Sequence, residues 1–248
     1  MKKFTITDIY NKIEENEKIS FLTAYDYPTS HFAKQAGIEM ILVGDSGGMC
    51  LLGKKTTIEV NMDEMLMMTE AVAKANDTSF IVADMPFMSY QTNNYDAISN
   101  AGKFMRYNVD AVKLEGGSRV SDKVKAIVDA GIPVMGHLGL TPQAISQLGG
   151  YKVQGKTISS VQKLIQDIDS LVSAGVFSIL LEAIPNEIVQ QIIATKIIGR
   201  PNLAIAWPLP PSILCTQCIA PEKTAINPKG INMLTIIAIS LLATNAAA

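Results

Sequence analysis

Short apolar, β-branched runs alternate along the chain with longer stretches of helical spacing. The runs cover residues 19–25, 40–45, 80–86, 111–117, 133–139 and 178–184, and each ends in a polar or glycine-rich turn. Between them, residues 63–75 space Leu66, Glu70 and Ala73 three to four apart behind an acidic start. Ser121 stands as a cap before residues 122–130, whose Val124, Ile127 and Val128 make one stripe that Gly131 closes. Residues 157–174 carry Val161, Leu164, Ile165, Ile168, Leu171 and Val172 on one face and stop at Gly175. Strand and helix alternate at least six times, and the strands are almost continuously apolar. That pattern predicts an α/β fold with a parallel sheet covered on both faces. Such a sheet closes as an open doubly wound fold or as a (β/α)8 TIM barrel.

The polar residues at the strand ends favour the barrel. Strand two ends Val43-Gly-Asp45-Ser46, strand three ends at Asp84, and strand four carries Lys113 and Glu115. Strand five ends at His137 and strand six at Glu182. In a barrel, strand C-termini converge on one rim, which is where such enzymes build their sites. Strand periodicity turns Lys113 and Glu115, two apart, to the same side. Each residue also has a plain structural use: Asp45 or Asp84 as a helix N-cap, Lys113 paired with Glu115, His137 as a hydrogen-bonded core histidine, Glu182 in a structural role. Five strand ends all carrying such residues by coincidence is the weaker explanation, because unpartnered buried carboxylates cost several kcal/mol each.

Composition narrows the classes. A chain of 248 residues with 48% hydrophobic and 18% charged residues suits one large folded domain. Its net charge of −2 gives no drive toward nucleic acid. Three cysteines make no disulfide framework, which points to a reducing cytoplasm. The N-terminus meets charge too early for a signal-peptide core, and the apolar run 233–243 is too short to span a membrane.

Oxygen donors without cysteine pairs or paired histidines suit a hard cation, Mg²⁺ rather than Zn²⁺. With an α-keto acid as substrate, such a cation stabilises the enolate formed when a base removes the neighbouring proton. Lys113 then faces a substrate carboxylate or the developing oxyanion, or alternatively forms a Schiff base. Glu182, on an apolar strand apart from the other acids and expected to be buried, is the candidate base.

These residues lie within longer motifs: Leu22-Thr-Ala-Tyr-Asp-Tyr27, Ile41-Leu-Val-Gly-Asp-Ser46, Val82-Ala-Asp-Met-Pro-Phe-Met-Ser-Tyr90, Val112-Lys-Leu-Glu-Gly-Gly117, Pro133-Val-Met-Gly-His-Leu-Gly-Leu-Thr-Pro-Gln143 and Leu148-Gly-Gly-Tyr-Lys-Val-Gln-Gly155. In order, over residues 3–195, the chain resembles the ketopantoate hydroxymethyltransferase family. The resemblance implies a barrel of the phosphoenolpyruvate/pyruvate superfamily, assembled as a homodecamer. It implies transfer of a hydroxymethyl group from 5,10-methylenetetrahydrofolate to 3-methyl-2-oxobutanoate, giving 2-dehydropantoate on the route to pantothenate and coenzyme A. It also implies Mg²⁺ at Asp45, Asp84 and Glu115, keto-acid contacts from Asp45, Ser46, Asp84 and Lys113, and Glu182 as proton acceptor. For His137 the resemblance implies no firmer role than that of a pocket residue. Another Mg²⁺-dependent carbon–carbon lyase or mutase of the same superfamily is the alternative.

The resemblance stops near residue 196. The family pattern supplies a strand like Ile-Gly-Ile-Gly-Ala-Gly and then Asp-Gly-Gln, whereas this chain reads Pro201-Asn-Leu-Ala-Ile-Ala-Trp-Pro-Leu-Pro-Pro211 and Cys215-Thr-Gln-Cys218. Residues 1–195 are thus expected to form a single catalytic barrel domain, and 196–248 a divergent tail whose leading reading is out-of-frame translation. A folded tail would instead place strand seven at 203–207 and strand eight within 233–242. On the out-of-frame reading the barrel is incomplete at strands seven and eight, and the chain is an inactive relic.

Overall fold

The computed structural model describes residues 2–15, 17–197, 203–208 and 236–239. Eight parallel strands follow one another in chain order around a closed barrel: β1 (Ile19–Thr23), β2 (Met40–Val43), β3 (Phe80–Asp84), β4 (Ala111–Glu115), β5 (Val134–Gly139), β6 (Ser178–Glu182), β7 (Ala204–Pro208) and β8 (Ile236–Ile239). Each of the six strands legible in the sequence starts within one residue of its expected position. Most end two residues early, because the backbone turns away as soon as the polar rim begins. Of the two readings of the tail, the described strands follow the folded one, at 204–208 against the expected 203–207 and at 236–239 within 233–242. β7 pairs with β6 and β8, and β8 returns to β1 with Ile19 opposite Ile236. The segment after residue 203 supplies strands because Ala204-Ile-Ala206 is a short apolar run with the alternation a barrel requires, and Leu203 to Ala206 are buried. Cys215, Cys218 and the prolines at 210 and 211 lie outside the described residues.

Strand alternation divides the core in two. One set of side chains points into the barrel: Ile19, Phe21, Met40, Phe80, Val82, Ala111, Met135, Leu180, Ala204 and Ala206. The Phe80 ring lies 5.5 Å from that of Phe177. The other set, including Ile41, Val43, Ile81, Ala83, Val112, Leu114, Ile179 and Leu181, packs under the helices. These helices are α2 (Tyr27–Gln35), α3 (Gly47–Cys50), α4 (Met62–Ala75), α5 (Asn94–Met105), α6 (Ser121–Asp129), α7 (Ile145–Leu148), α8 (Ile158–Ala174) and α9 (Asn186–Ile192). Thr157 and Gly175 bound α8 as N-cap and left-handed C-cap. Ser121, however, is the first residue of α6 rather than its cap, and its hydroxyl donates to the Ser118 carbonyl.

A helix before the first strand, α1 (Ile6–Glu14), plugs the bottom of the barrel with Ile9, fully buried among the inward-pointing residues. Its capping box joins Thr5 and Asp8. Among the described residues no helix is long and apolar enough to cross a membrane.

Candidate active site

Inward alternation at the top of the barrel puts Asp84, Lys113, Glu115, His137 and Glu182 on the same lining as the residues that fill it lower down. Register aligns them in pairs, Asp84 beside Lys113 and Glu115 beside His137. Asp45 joins from the turn after β2, its backbone N–H donating to Asp84 Oδ2 at 3.1 Å. All but Glu182 are buried, at 2–4% exposure.

A continuous polar chain links them. Lys113 Nζ lies 3.0 Å from Asp84 Oδ1 and 3.2 Å from His137 Nδ1. His137 Nδ1 is also 3.3 Å from Glu115 Oε1, and on the far side its Nε2 is 3.1 Å from Glu182 Oε2. Lys113 therefore pairs with Asp84, not with Glu115 as its nearest neighbour in sequence. Asp45 and Asp84 cap no helix with their carboxylates: Asn93 caps α5, and Ser46 occupies the cap position of α3 without a side-chain bond. Ser46 Oγ instead meets the Tyr25 hydroxyl at 2.8 Å.

Burial and like charge set the electrostatics. Three buried carboxylates face one ammonium. Burial first, then the charges of Asp84 and Glu115, push Asp45 up to about 8. Asp84 is also raised, mostly by burial, against the pull of Lys113. Burial disfavours the Lys113 charge, but Asp84, Glu115 and Asp45 outweigh it and hold the lysine above its usual value. Glu115 is drawn below the usual range, because His137, Lys113 and the Gln143 N–H outweigh burial. Burial and Lys113 oppose a charge on His137, yet Glu115 and Glu182 on either side push it up to about 9.

Glu182 departs from expectation. It is not apart from the other acids, since His137 joins it to Glu115, and its side chain is 23% exposed. It is the member of the chain open to an incoming molecule. Two backbone features hold it: Ala183 follows in a left-handed conformation at φ 50°, and Gly139 packs its bare Cα against the Glu182 carbonyl. A Cβ at Gly139 would lie 2.2 Å from that oxygen.

Gln143 and Tyr90, both missed as site residues, organise the acids. Gln143 Nε2 donates to Asp45 Oδ2 and to the Met85 carbonyl, both at 2.9 Å, while its backbone N–H donates to Glu115 Oε2 at 2.9 Å. Its Oε1 is 2.9 Å from the Tyr90 hydroxyl, which in turn accepts the Glu115 N–H at 3.0 Å. Both residues close motifs quoted above, so the signal was their place at a motif's end, each six residues past a rim residue.

The donor set suits a hard divalent cation at Asp45 and Asp84. Asp84 Oδ1 is buried without an aligned hydrogen bond, with only the Lys113 ammonium beside it. The excess of negative charge around Asp45 is what such an ion relieves, and Mg²⁺ commonly uses one or two carboxylates and keeps several waters. Glu115 fits a direct ligand less well, because both its oxygens are engaged, by His137 and by Gln143. Among the described residues no three His, Cys, Asp or Glu side chains form a closed metal cage.

Comparison with known proteins gives the chain's family. The family model described as ketopantoate hydroxymethyltransferase matches residues 3–203. The 3-methyl-2-oxobutanoate hydroxymethyltransferase of Ignicoccus hospitalis is 51% identical over 205 residues, 83% of this chain and 77% of that protein. The protein of the same name from Carboxydothermus hydrogenoformans is 48% identical over 206 residues, 83% and 74% of the two chains. Among solved structures, phosphonopyruvate hydrolase in complex with oxalate and Mg²⁺ superposes with a TM-score of 0.62 at 14% identity, covering 84% of this chain and 72% of that one. The 2,3-dimethylmalate lyase of the PEP mutase/isocitrate lyase superfamily gives 0.64 at 16% identity, covering 94% and 80%. At these identities the two structures speak for the barrel alone.

Proposed function

The chain belongs to the ketopantoate hydroxymethyltransferase family, and from that premise we propose that it moves a hydroxymethyl group from 5,10-methylenetetrahydrofolate to 3-methyl-2-oxobutanoate, yielding 2-dehydropantoate for pantothenate synthesis. The observation that carries this reading is the relay Glu182–His137–Glu115, with one half-open carboxylate at its outer end and Lys113 beside its centre.

The keto acid lies above Asp45, Ser46, Asp84 and Lys113. Asp45 and Asp84 would hold Mg²⁺, with Glu115 behind them, and the bound ion would supply Lewis-acid polarisation of the keto acid's oxygens. The Lys113 ammonium faces the substrate's negative oxygens and stabilises charge that grows as the enolate forms. Glu182 takes the proton from C3, and His137 steadies its carboxylate from behind. The carbon thus freed then bonds to the donor's methylene carbon; the bonds from that carbon to the donor nitrogens break, one water supplies the hydroxyl oxygen, and tetrahydrofolate leaves.

We assign catalysis to the barrel seeded by residues 1–195, acting in the cytoplasm as a homo-oligomer, the decamer being the family expectation. The family match ends at residue 203, which supports reading the later segment as divergent. Sequencing the coding DNA near codon 196 tests out-of-frame translation: an uninterrupted alternative frame encoding the glycine-rich strand supports it, and the lack of one removes it.

The direct test of function is hydrogen–deuterium exchange at C3 of 3-methyl-2-oxobutanoate in D₂O, followed by NMR with and without Mg²⁺. It needs no folate. We expect Mg²⁺-dependent exchange in the wild type and a loss of about 10²-fold or more in Glu182→Gln, in line with removal of a general base. No exchange from protein shown by circular dichroism to be folded overturns the reading. A panel of other keto and phosphonyl acids separates the lyase or mutase alternative.

A further inference from the structure

The barrel interior is filled, so a second substrate must reach Glu182 from above, and one loop stands there. It runs from Gly149 to the Thr157 cap of α8. Gly149, Gly150 and Gly155 all take left-handed backbone, at φ 68°, 108° and 74°, which a residue with a Cβ adopts only under strain. The loop is stitched onto the turn that follows Glu182: the Gln154 N–H donates to the Ala183 carbonyl at 2.8 Å. Gly155 lies over Ile184.

What the loop presents is unusual for a free surface. Tyr151 is 57% exposed and Val153 45%, and Tyr151 makes no ring contact among the described residues. Tyr151 stands three residues before the Gln154 bond to Ala183, on the segment tied to the turn that follows Glu182. Its phenol is raised, first by partial burial and then by Asp45, Glu182 and Glu115. The next residue, Lys152, is exposed and forms no ion pair among the described residues. A flat aromatic face next to an unpaired cation, on a loop tied to the turn that follows the base, is complementary to a ligand that joins a planar heterocycle to an anionic tail.

Resting on the transferase reading, we infer that loop 149–157 is the seat of the one-carbon donor: Tyr151 offers the surface on which the pterin ring stacks, and Lys152 meets the carboxylates of its glutamyl tail. This makes Tyr151 and Lys152 donor-binding residues, separate from the keto-acid contacts below them.

The two half-reactions allow a clean test. Keto-acid exchange in D₂O requires no donor, whereas product formation with 5,10-methylenetetrahydrofolate does. In Tyr151→Ala, folded by circular dichroism, exchange should stay within about twofold of wild type while the donor KM rises about tenfold, the size of one lost stacking contact. Tyr151→Phe should restore the donor KM. Lys152→Ala, at an exposed position, should raise the donor KM severalfold and flatten its dependence on salt, and it carries the test if the Tyr151 variant does not fold. An unchanged donor KM in these variants overturns the inference. So does a Tyr151→Ala variant that loses exchange and transfer equally, which would make the loop a wall of the keto-acid pocket. Wild-type protein that is folded but gives no exchange overturns the transferase reading itself, an outcome distinct from both.

Discussion

At the scale of single residues, the rim acids depend on a neutral neighbour. Gln143 bonds to Asp45, to the Met85 carbonyl and, through its backbone, to Glu115. Truncating it leaves Asp45 Oδ2 buried without that donor, and leaving a buried polar group unsatisfied costs about 1–3 kcal/mol. Gln143→Ala should therefore lower the urea midpoint by an amount equivalent to about 2 kcal/mol and slow exchange at least tenfold, while Gln143→Glu, adding a fourth buried carboxylate, should do worse on both counts. Asp45, Asp84, Lys113, Glu115, His137 and Glu182 were legible in the sequence, because a charged residue ending an apolar run has few other reasons to be there. Gln143 and Tyr90 were not singled out, since a glutamine or tyrosine in a loop carries no such cost and its burial is set by tertiary packing. The exposure of Glu182 was hidden too: strand periodicity tells which way a side chain points, not whether the next loop covers it.

The elements differ in how plainly they were written. Period-two alternation and apolar continuity located six strands, yet their ends were set too late because Tyr25, Asp45, Pro86 and Ile184 continue the pattern beyond the last ladder bond. Two element ends bear testable weight. Gly139 closes β5 against the Glu182 carbonyl with φ 91°. Gly139→Ala forces the chains apart there, so we expect a drop of about 1–3 kcal/mol in stability from backbone strain alone, together with loss of exchange. At the other end of the barrel, the α1 cap holds the Asp8 carboxyl below the usual range through its bonds with Thr5. A lowered pKa stabilises the folded state above the ordinary carboxylate value, and that stabilisation fades as pH falls toward the lowered one. Asp8→Ala should thus cost about 1 kcal/mol at pH 7 and progressively less in acid, as measured by denaturation across pH 2–7.

For the whole molecule, closure is what the tail contributes. β7 and β8 bridge β6 to β1, so their removal opens two strand edges and the barrel interior. A chain cut after residue 203 should move to the void volume in size-exclusion chromatography; a well-behaved, exchanging truncation would show that the closing strands are dispensable. The tail's strands were the hardest part to read, because Leu203-Ala-Ile-Ala206 is a weak apolar run set among prolines, and only pairing on both sides makes it a stave. The plug formed by α1 has a further bearing on traffic. Among the described residues, the chamber is sealed from below by Ile9 and packed with side chains, so its way in is the rim above. Whatever sits deepest must enter first and leave last. The kinetics should accordingly follow a compulsory order, keto acid before donor, with the spent carrier departing before the enlarged acid can escape.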